Sequence, residues 1–409
     1  MKQKNPCIVC SSHAVELFLD LGDTALANKF LDEAELSAIE PKYPLKVGYC
    51  HVCGHVQLTD VVPPAAMFED YLYVSSASDT LKAHLWELSD VIVSRYHLSA
   101  NDLVIDIGCN DGTLLKGFRR HRVKTVGVDP AANLAEISRQ DGIDRVVGFF
   151  NSKTAGEIVR RWGNASAITA TNTFPHIPDL GDFLEGVSHA LDSGGVFVLE
   201  AHYLLDMLEQ CAFDTIYHEH VSYWALGPMK RLFEKHGFEV VNAERLPIHH
   251  GQLRVTAQRK GEGTIQPSVN RLLQQEKAAG LDQFETYKQF AQKTFQIKTD
   301  LHQKLKDLRE ANKQVVGYGA PAKGNTLLSF LDIRREMICY IADRSLLKQG
   351  RLTPGTHIPV VSPDRLITDK PDYVLLLAWN FADEILSQQA EYHKSGGRFI
   401  IPVPQVRIV

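Results

Sequence analysis

The spacing of hydrophobic positions changes several times along this chain, and each change predicts a boundary between elements. From Thr80 to His97, apolar side chains recur every three or four residues, which predicts an amphipathic helix. The next apolar run, LVIDIG at 103–108, is short and continuous and ends in glycine. That pattern is typical of a buried strand.

Strand-like and helix-like segments alternate beyond this point. The strand-like segments read TVGVDP, ASAITATN, GGVFVLEA, FEVVNAERL and QLRVTAQ. Such alternation predicts a parallel, doubly wound α/β sheet. The last two segments have no helix between them, so we expect the sheet to end with an antiparallel strand.

Two other regions flank this sheet. Residues 1–60 are rich in Cys, Gly and Pro, which predicts a small module that needs a covalent or metal staple. Residues 265–313 carry no strand signal and predict one or two helices, after which a second α/β unit begins. We therefore predict three domains, over 1–75, 76–262 and 263–409.

Composition narrows the functional classes. The chain has 44 Lys and Arg against 49 Asp and Glu, a net charge of −5, which does not indicate a nucleic-acid or membrane-surface binder. No apolar run approaches the roughly 20 residues that span a bilayer. The first residues, MKQKNPCIVC, lack the apolar segment of a signal peptide, so we expect a cytoplasmic location.

Four of the seven cysteines form two Cys-x-x-Cys pairs: Cys7, Cys10, Cys50 and Cys53. Four thiolates complete a tetrahedral Zn²⁺ site and leave no position for a substrate. We therefore predict a structural Zn²⁺ rather than a catalytic or redox site. Nearby histidines are alternative ligands, namely His13, His51 and His55.

The segment VIDIGCNDGTLL places a glycine-rich turn between a strand and a helix, and Asp129 ends the following strand. An acid there can bind both ribose hydroxyls of a nucleoside. The turn lacks the closely spaced glycines that admit a pyrophosphate, which favours S-adenosylmethionine (SAM) over a dinucleotide. The loop, the acid and the strand order together favour SAM over an ordinary βα turn. The predicted cofactor-binding residues are Asp106, Gly108, Asn110, Gly112, Asp129, Pro130 and Asn172.

A second cluster of titratable side chains lies in the segment YHEHVSYW at 217–224. The residues alone leave three interpretations open: a metal site, an acid/base site or the polar start of a helix. His titrates near neutral pH and suits the role of a base, and a carboxylate can orient its ring.

With these motifs in place, the chain resembles the SAM-dependent sugar C-3 methyltransferases, which act on nucleotide-linked 4-keto-6-deoxy sugars. The matching motifs are the Cys pairs, LDLGDTALAN, YLYVSS, DIGCNDGTLL, NTFPHI, YHEH, HGQLRV, YGAPAKGN, PGTHIPV and LLLAWNF. The resemblance implies a zinc-binding N-terminal domain, a central Rossmann-like SAM domain and a C-terminal Rossmann-like α/β domain that holds the sugar nucleotide. That substrate would be a dTDP- or GDP-linked sugar.

The resemblance also implies residue roles. His220 would be the base at C-3, while Glu219, Tyr217 and His176 would position the substrate and stabilise the enolate. Tyr71 and Tyr73 would close the SAM side of the site, with Tyr71 grouped with the catalytic residues and Tyr73 with the substrate-binding ones. His218 and Tyr223 would be scaffold.

Two segments depart from the family pattern. This chain has Gly251-Gln252-Leu253 where the family often has Gly-Gly-Ser. It has Phe174-Pro175 before His176, where a small residue and Ala are common. We expect both to reshape the sugar pocket.

The segment GYGAPAKG at 317–324 imitates a nicotinamide fingerprint, with Asp343 after the next strand. Lys323 at the start of a helix makes a better seat for a diphosphate, which favours the sugar nucleotide. The predicted substrate-binding residues are Tyr73, His250, Gly319, Lys323, Asn325 and Asn380.

Together the motifs predict a C-methyltransferase. The alternatives are an O- or N-methyltransferase, a nicotinamide-dependent oxidoreductase that uses 317–343, and a zinc module tethered to a degenerate transferase.

Overall fold

The computed structural model describes residues 6–68, 74–248 and 251–409. Within them the chain forms three sheets, which we call the N-terminal, central and C-terminal sheets after the part of the sequence that supplies most of their strands.

The N-terminal part contains β1 (Val15–Thr24), β2 (Tyr43–Cys50), β3 (Val56–Leu58) and α1 (Ala65–Phe68). The central part contains α2 (Asp79–Tyr96), β4 (Leu103–Ile107), α3 (Thr113–Arg120), β5 (Lys124–Asp129), α4 (Ala132–Gln140), β6 (Asp144–Val147), α5 (Ser152–Trp162), β7 (Ala165–Thr171), α6 (Leu180–Ala190), β8 (Leu191–His202), α7 (Leu204–Glu209), β9 (Ser222–Tyr223), α8 (Leu226–Lys235), β10 (Phe238–Leu246) and β11 (Gln252–Arg259). The C-terminal part contains α9 (Pro267–Ala278), α10 (Phe284–Glu310), β12 (Val315–Tyr318), α11 (Ala322–Phe330), β13 (Ile341–Ala342), β14 (Val360–Val361), α12 (Arg365–Asp369), β15 (Tyr373–Leu376), α13 (Ala382–Gln388), α14 (Ala390–Lys394), β16 (Arg398–Ile401) and β17 (Arg407–Ile408).

The central sheet has the strand order β10-β11-β8-β7-β4-β5-β6. Strands β4 to β8 pair in parallel, which confirms the doubly wound sheet. The antiparallel strand is also present, but β11 lies between β8 and β10 instead of at the edge. The order reverses between β4 and β7, so the loops that follow these strands open a crevice at the carboxyl edge.

The N-terminal sheet takes its last strand from far along the chain. Its order is β1-β2-β3-β9, all antiparallel, and β9 belongs to the segment 217–224. The sequence places that segment in the central domain. The YHEH residues themselves form a turn before β9, so the interpretation as the start of a helix is wrong.

The C-terminal sheet has the order β14-β13-β12-β15-β16-β17, parallel except for β17. The two helices predicted for 265–313 are α9 and α10. Helix α10 buries one face with helical spacing, and its Tyr287 contacts Phe18 and Tyr49 of the N-terminal sheet, with ring centroids 5.2 and 4.8 Å apart. This long helix therefore joins the first and last parts of the chain.

One hydrophobic core runs through all three parts. Trp224 is fully buried in it, and its ring centroid lies 4.6 Å from that of His55 and 4.8 Å from that of Phe174. Since a close-packed core does not deform continuously, residues brought together from different sheets keep a fixed geometry.

No helix in the described ranges combines the length and apolar character needed to cross a bilayer.

A buried ionic network crosses from β11 to α2. The carboxylate of Glu200 accepts a hydrogen bond from Arg254 Nε at 2.6 Å, and its other oxygen lies 2.8 Å from His84 Nε2. Burial opposes ionisation of Glu200, but these two partners outweigh it and lower its pKa.

We predict that Arg254→Met destabilises the protein by about 3–5 kcal/mol, because it leaves the Glu200 carboxylate buried without its cationic partner. Urea denaturation followed by circular dichroism measures this. Lys46→Met is the control, since the Lys46–Asp20 pair is more than a third exposed on both sides and contributes at most about 1 kcal/mol. Equal effects of the two variants would contradict the prediction.

Candidate active site

A cavity of about 840 Å³ opens at the carboxyl edge of the central sheet, facing the first turn of α11 in the C-terminal part. Its volume is within the range of ligand-binding clefts. Loops after β4, β5 and β7 form one wall, residues 176–220 another, and residues 321–348 and 380–381 the far side. The cavity therefore collects side chains from the central and C-terminal parts, and the N-terminal part adds Asn28, Pro63, Pro64, Ala65 and Phe68.

The loop after β4 needs glycine for two reasons. Gly108 has φ +74°, and a Cβ there would lie 2.0 Å from Thr173 Oγ1. Asn110 also has a positive φ, +51°, a conformation that Asn tolerates better than most residues. The loop backbone is therefore pressed against Thr173, with no side chain at position 108 to fill the cavity.

Asp129 is positioned by the same loop. Its carboxylate accepts hydrogen bonds from the backbone N–H groups of Asn110 and Ala131, both at 2.9 Å, and from Arg145 Nη2 at 3.1 Å. A carboxylate offers about four acceptor positions, so one remains for a hydroxyl group in the cavity. These residues fit the ribose of SAM.

Asp106 is buried at the end of β4 and accepts a hydrogen bond from Thr169 Oγ1 at 2.7 Å. Burial raises its pKa to about 7, with a contribution from the charge of Asp129, while the hydrogen bond opposes the shift. A cation bound beside Asp106 would favour the ionised carboxylate. That requirement fits the positively charged methionine part of SAM.

Three histidines and a tyrosine form the centre of the cavity. The ring centroid of His220 lies 5.2 Å from His176, 5.0 Å from His202 and 4.0 Å from Tyr217. His220 Nδ1 lies 2.8 Å from the carbonyl oxygen of Thr215, which identifies Nδ1 as the protonated nitrogen. The neutral ring therefore carries its lone pair on Nε2.

Burial lowers the pKa of His220 well below its usual range, and the neighbouring His202, His176 and Lys323 lower it further. Burial also lowers the pKa of His176 to about 4. Both imidazoles are consequently neutral at physiological pH, and His220 is free to accept a proton.

Lys323 is the second residue of α11, half-buried at the far side of the cavity. Burial lowers its pKa, opposed by the charge of Asp214. Asp214 is itself buried and accepts a hydrogen bond from Trp379 Nε1 at 2.5 Å. A helix N-terminus with a lysine can bind an anionic group.

Most of the residues predicted from sequence meet at this cavity. Its lining includes Asp106, Gly108, Asn110, Asp129, Pro130, Asn172, His176, Tyr217, His220, Lys323 and Asn380. Tyr71, Tyr73 and His250 lie outside the described residues.

Four predicted site residues have other surroundings and are not among the described residues that line the cavity: Gly112, Glu219, Gly319 and Asn325. Gly112 and Gly319 permit close approach, since a Cβ would lie 2.3 Å from Ile143 Cδ1 and 2.6 Å from Ala378 Cβ. Asn325 donates to the carbonyl of Ala27.

Glu219 is 3% exposed, and its carboxylate accepts a hydrogen bond from Asn28 Nδ2 at 2.7 Å. The ring of His220 is held on its Nδ1 side by the Thr215 carbonyl, a group that sequence reasoning did not consider.

Sequence reasoning also missed His202, Lys348 and Asn28, which line the cavity. His202 ends strand β8. Residues at the carboxyl ends of parallel strands line the crevice of such a sheet, so the reasoning that identified Asn172 could also have identified His202. Lys348 donates from Nζ to the carbonyl of Ala320 at 2.8 Å. Lys348 carries no local signal, and Asn28 ends the matching motif LDLGDTALAN, where it was given no role.

The four N-terminal thiols form a compact cluster, with all sulfurs within 4.8 Å of one another. Cys7 lies 3.5 Å from Cys53, and Cys10 lies 3.6 Å from Cys50. Sulfurs bound to one Zn²⁺ at about 2.3 Å lie about 3.8 Å apart in a tetrahedron, so the cluster fits the metal. The His55 ring is packed on Trp224.

We predict that Gly108→Ala weakens SAM binding and destabilises the protein by about 1–3 kcal/mol, because the new methyl group collides with Thr173 and the backbone keeps a positive φ. Calorimetric titration and thermal unfolding measure the two effects. Gly194→Ala is the matched control: its φ is +70°, but no atom lies within 4 Å of the added Cβ. If the control lost as much SAM affinity, backbone strain alone would explain the result.

Comparison with known proteins agrees with this architecture. Family models match three consecutive regions: a zinc binding domain over residues 7–68, a methyltransferase domain over 87–243 and a C-methyltransferase C-terminal domain over 247–404. The C-methyltransferase NovU of Streptomyces niveus is 36% identical over 404 residues, which cover 98% of this chain and 96% of NovU.

Solved structures match less than half of this chain, at low identity. A methyltransferase of Haloferax volcanii in complex with its activator Trm112 is 15% identical, covering 45% of this chain and 94% of its own, with a TM-score of 0.36. A SAM-dependent methyltransferase from Anabaena variabilis is also 15% identical, covering 49% and 100%, with a TM-score of 0.35.

The family models and the relative account for nearly the whole chain, and the cavity and the four-cysteine cluster fit the two cofactors expected from sequence. The chain belongs to the family of zinc-binding, SAM-dependent C-methyltransferases.

Proposed function

We propose that the enzyme methylates C-3 of a nucleoside-diphosphate-linked 4-keto-6-deoxy sugar through an enolate. The observation that carries this proposal is the neutral His220, whose unprotonated Nε2 belongs to a ring lining the same cavity as the SAM-binding loop. The family resemblance of the YHEH, NTFPHI and YGAPAKGN segments supports the sugar substrate.

Carbon methylation requires a nucleophilic carbon. The hydrogen on the carbon next to a ketone is acidic enough only if a base removes it while the developing oxyanion is stabilised. His220 Nε2 accepts this C-3 proton, and the electrons of the C–H bond move into the enolate. The Thr215 carbonyl holds the Nδ1 proton and stabilises the imidazolium that forms.

The polar groups around His220 would stabilise the oxyanion. Tyr217 has its ring 4.0 Å from that of His220, and Lys323 lines the far side of the cavity. A phenol and an ammonium group both donate hydrogen bonds, and their effect is larger in a partly desolvated site than in water. His176 and Glu219 would support the geometry of these groups.

SAM bound there would supply the electrophilic sulfonium methyl group that the enolate carbon takes, with S-adenosylhomocysteine as the leaving group. Asp129 and Asp106 would bind the ribose and the cationic end, and Asn172 would approach the methionine part. Apolar residues close the cavity around them, including Phe68, Leu81, Leu85 and Phe150. They exclude water, which would otherwise compete for the base.

The diphosphate of the substrate would bind at the start of α11. Lys323 and the nearby Asn380 face the cavity there, and the helix N-terminus favours an anion. Asp343, which a nicotinamide enzyme would use for ribose, is not among the described residues that line this cavity, and its carboxylate accepts hydrogen bonds from Ala320 N at 2.6 Å and Ser345 N at 2.7 Å. This arrangement favours the sugar nucleotide over a dinucleotide.

We predict that His220→Ala lowers kcat by about 10²–10⁴-fold, the usual contribution of a general base, and leaves the SAM dissociation constant within a few-fold. Wild-type enzyme with S-adenosylhomocysteine in D₂O should exchange the C-3 hydrogen of the sugar nucleotide, as seen by mass spectrometry. The variant should lose this exchange.

His189→Ala is the control, because His189 is exposed at the end of α6. Methyl transfer without any exchange of a substrate C–H would indicate O- or N-methylation and would overturn the proposal. Loss of SAM binding in His220→Ala would reject the assigned role of His220.

The pH profile gives an independent check. The pKa of His220 is lowered, so its neutral form persists as pH falls, and we expect kcat to remain level through about pH 6.5, where an ordinary histidine protonates. A fall in kcat centred at the ordinary histidine pKa would contradict this assignment.

A further inference from the structure

The N-terminal module contacts the catalytic segment 217–224 through its backbone. Strand β9 directly follows the YHEH turn and pairs with β3, with Val56 opposite Tyr223 and Gln57 opposite Ser222. The pairing continues toward the base, because Leu58 N donates to the carbonyl of Val221 at 2.9 Å. Strand β3 begins three residues after the metal ligand Cys53.

Side chains extend the contact to the two residues before His220. His218 Nε2 lies 3.2 Å from the carbonyl oxygen of Tyr43, the first residue of β2. Asn28 Nδ2 donates to Glu219 Oε1 at 2.7 Å. The segment is thus held by groups from the loop after β1, from β2 and from β3.

Asn28 differs from the other contacts because it also lines the cavity. Its neighbour Ala27 accepts a hydrogen bond from Asn325 Nδ2 of α11 at 2.7 Å, and Leu31 bridges to Leu352. The loop that carries Asn28 is therefore fixed to the C-terminal part and presents its amide to the catalytic turn.

We infer that the zinc-loaded N-terminal module is a positioning element of the active site, which holds the 217–224 turn through β3 and through the hydrogen bond from Asn28 to Glu219. This inference rests on the proposed role of His220. Asn28 and the metal site would then affect catalysis by positioning other residues, without contacting the reacting atoms.

Two physical reasons support this coupling. A three-residue strand has little stability alone, and metal binding supplies the folding free energy of such small modules. A buried carboxylate that loses one of its donors is less stable in its original position, so Glu219 would move and take the adjacent His220 with it. Loss of the metal should therefore disturb the 217–224 turn through β3, and substitution of Asn28 should disturb the same turn through Glu219.

The first experiment removes Zn²⁺ from the full-length protein with a chelator and follows amide hydrogen exchange by mass spectrometry. We expect protection to fall at 43–58 and at 217–224 while β4, β5 and β7 keep theirs. The SAM dissociation constant should stay within about threefold, since the ordered central strands retain the binding loop. Unchanged protection at 217–224, or an equal loss in the central strands, would overturn the inference.

The second experiment keeps the metal and substitutes Asn28. Asn28→Asp preserves the shape but removes the donor and sets a carboxylate against Glu219, and Asn28→Ala removes the side chain beyond Cβ. We expect kcat to fall roughly 10- to 100-fold in both, the usual effect of losing a hydrogen bond to a charged group, with KM for SAM and zinc content unchanged. Exchange should rise at 217–224 alone.

Asp20→Asn is the matched control, because Asp20 lies on β1 of the same module in an exposed pair with Lys46. Its kcat and its exchange at 217–224 should equal those of the wild type. Wild-type kcat in both Asn28 variants would overturn the inference. Exchange and SAM binding need no sugar, so a failure of the proposed substrate would leave these two readouts intact and be recognised separately.

Discussion

Trp224 is buried where the N-terminal and central parts of the molecule meet, and its packing determines where the turn at residues 217–220 can lie. Its ring contacts His55, two residues beyond a metal ligand, and Phe174, two residues before His176. Its carbonyl accepts the N–H of Leu204, just after β8. A rigid aromatic side chain with these neighbours fixes three loops relative to each other, and the cavity takes its shape from those loops.

The low polarity of this interior shifts the pKa values of acids and bases in opposite directions. Burial disfavours charge, so it raises the pKa of Asp106 and lowers those of His176 and His220. The cavity is therefore poor in charge near its centre. A cation bound beside Asp106 would favour its ionised form, while the lowered pKa of His220 keeps that ring neutral.

Much of this arrangement is accessible from the sequence, because it depends on local patterns. The alternation of strands and helices, the Gly108 loop with Asp129, and the two cysteine pairs each occupy a short stretch with a clear physical requirement. The carboxyl ends of parallel strands meet at one edge, so Asn172 and His176 could be placed beside the loop without knowledge of the contacts.

What the sequence could not provide depends on distant partners. Asn28 and Glu219 are 191 positions apart, and neither has a periodic pattern around it that points to the other. Strand β9 has two residues, too few for any alternation to show, and it crosses into another sheet. Glu219 was expected to act beside His220 as an orienting acid, whereas the structure gives the Nδ1 position to a backbone carbonyl, which has no sequence signature.

The pairing of β3 with β9 also affects how the chain is made. On a ribosome, β3 appears roughly 160 residues before its partner, a delay of about 10 to 30 s at ordinary rates of synthesis. During that interval one edge of the nascent N-terminal sheet is unpaired and can associate with other strands. Early binding of zinc would limit this association by keeping the sheet small and ordered. The supply of zinc would therefore influence the yield of intact chains before any catalysis begins.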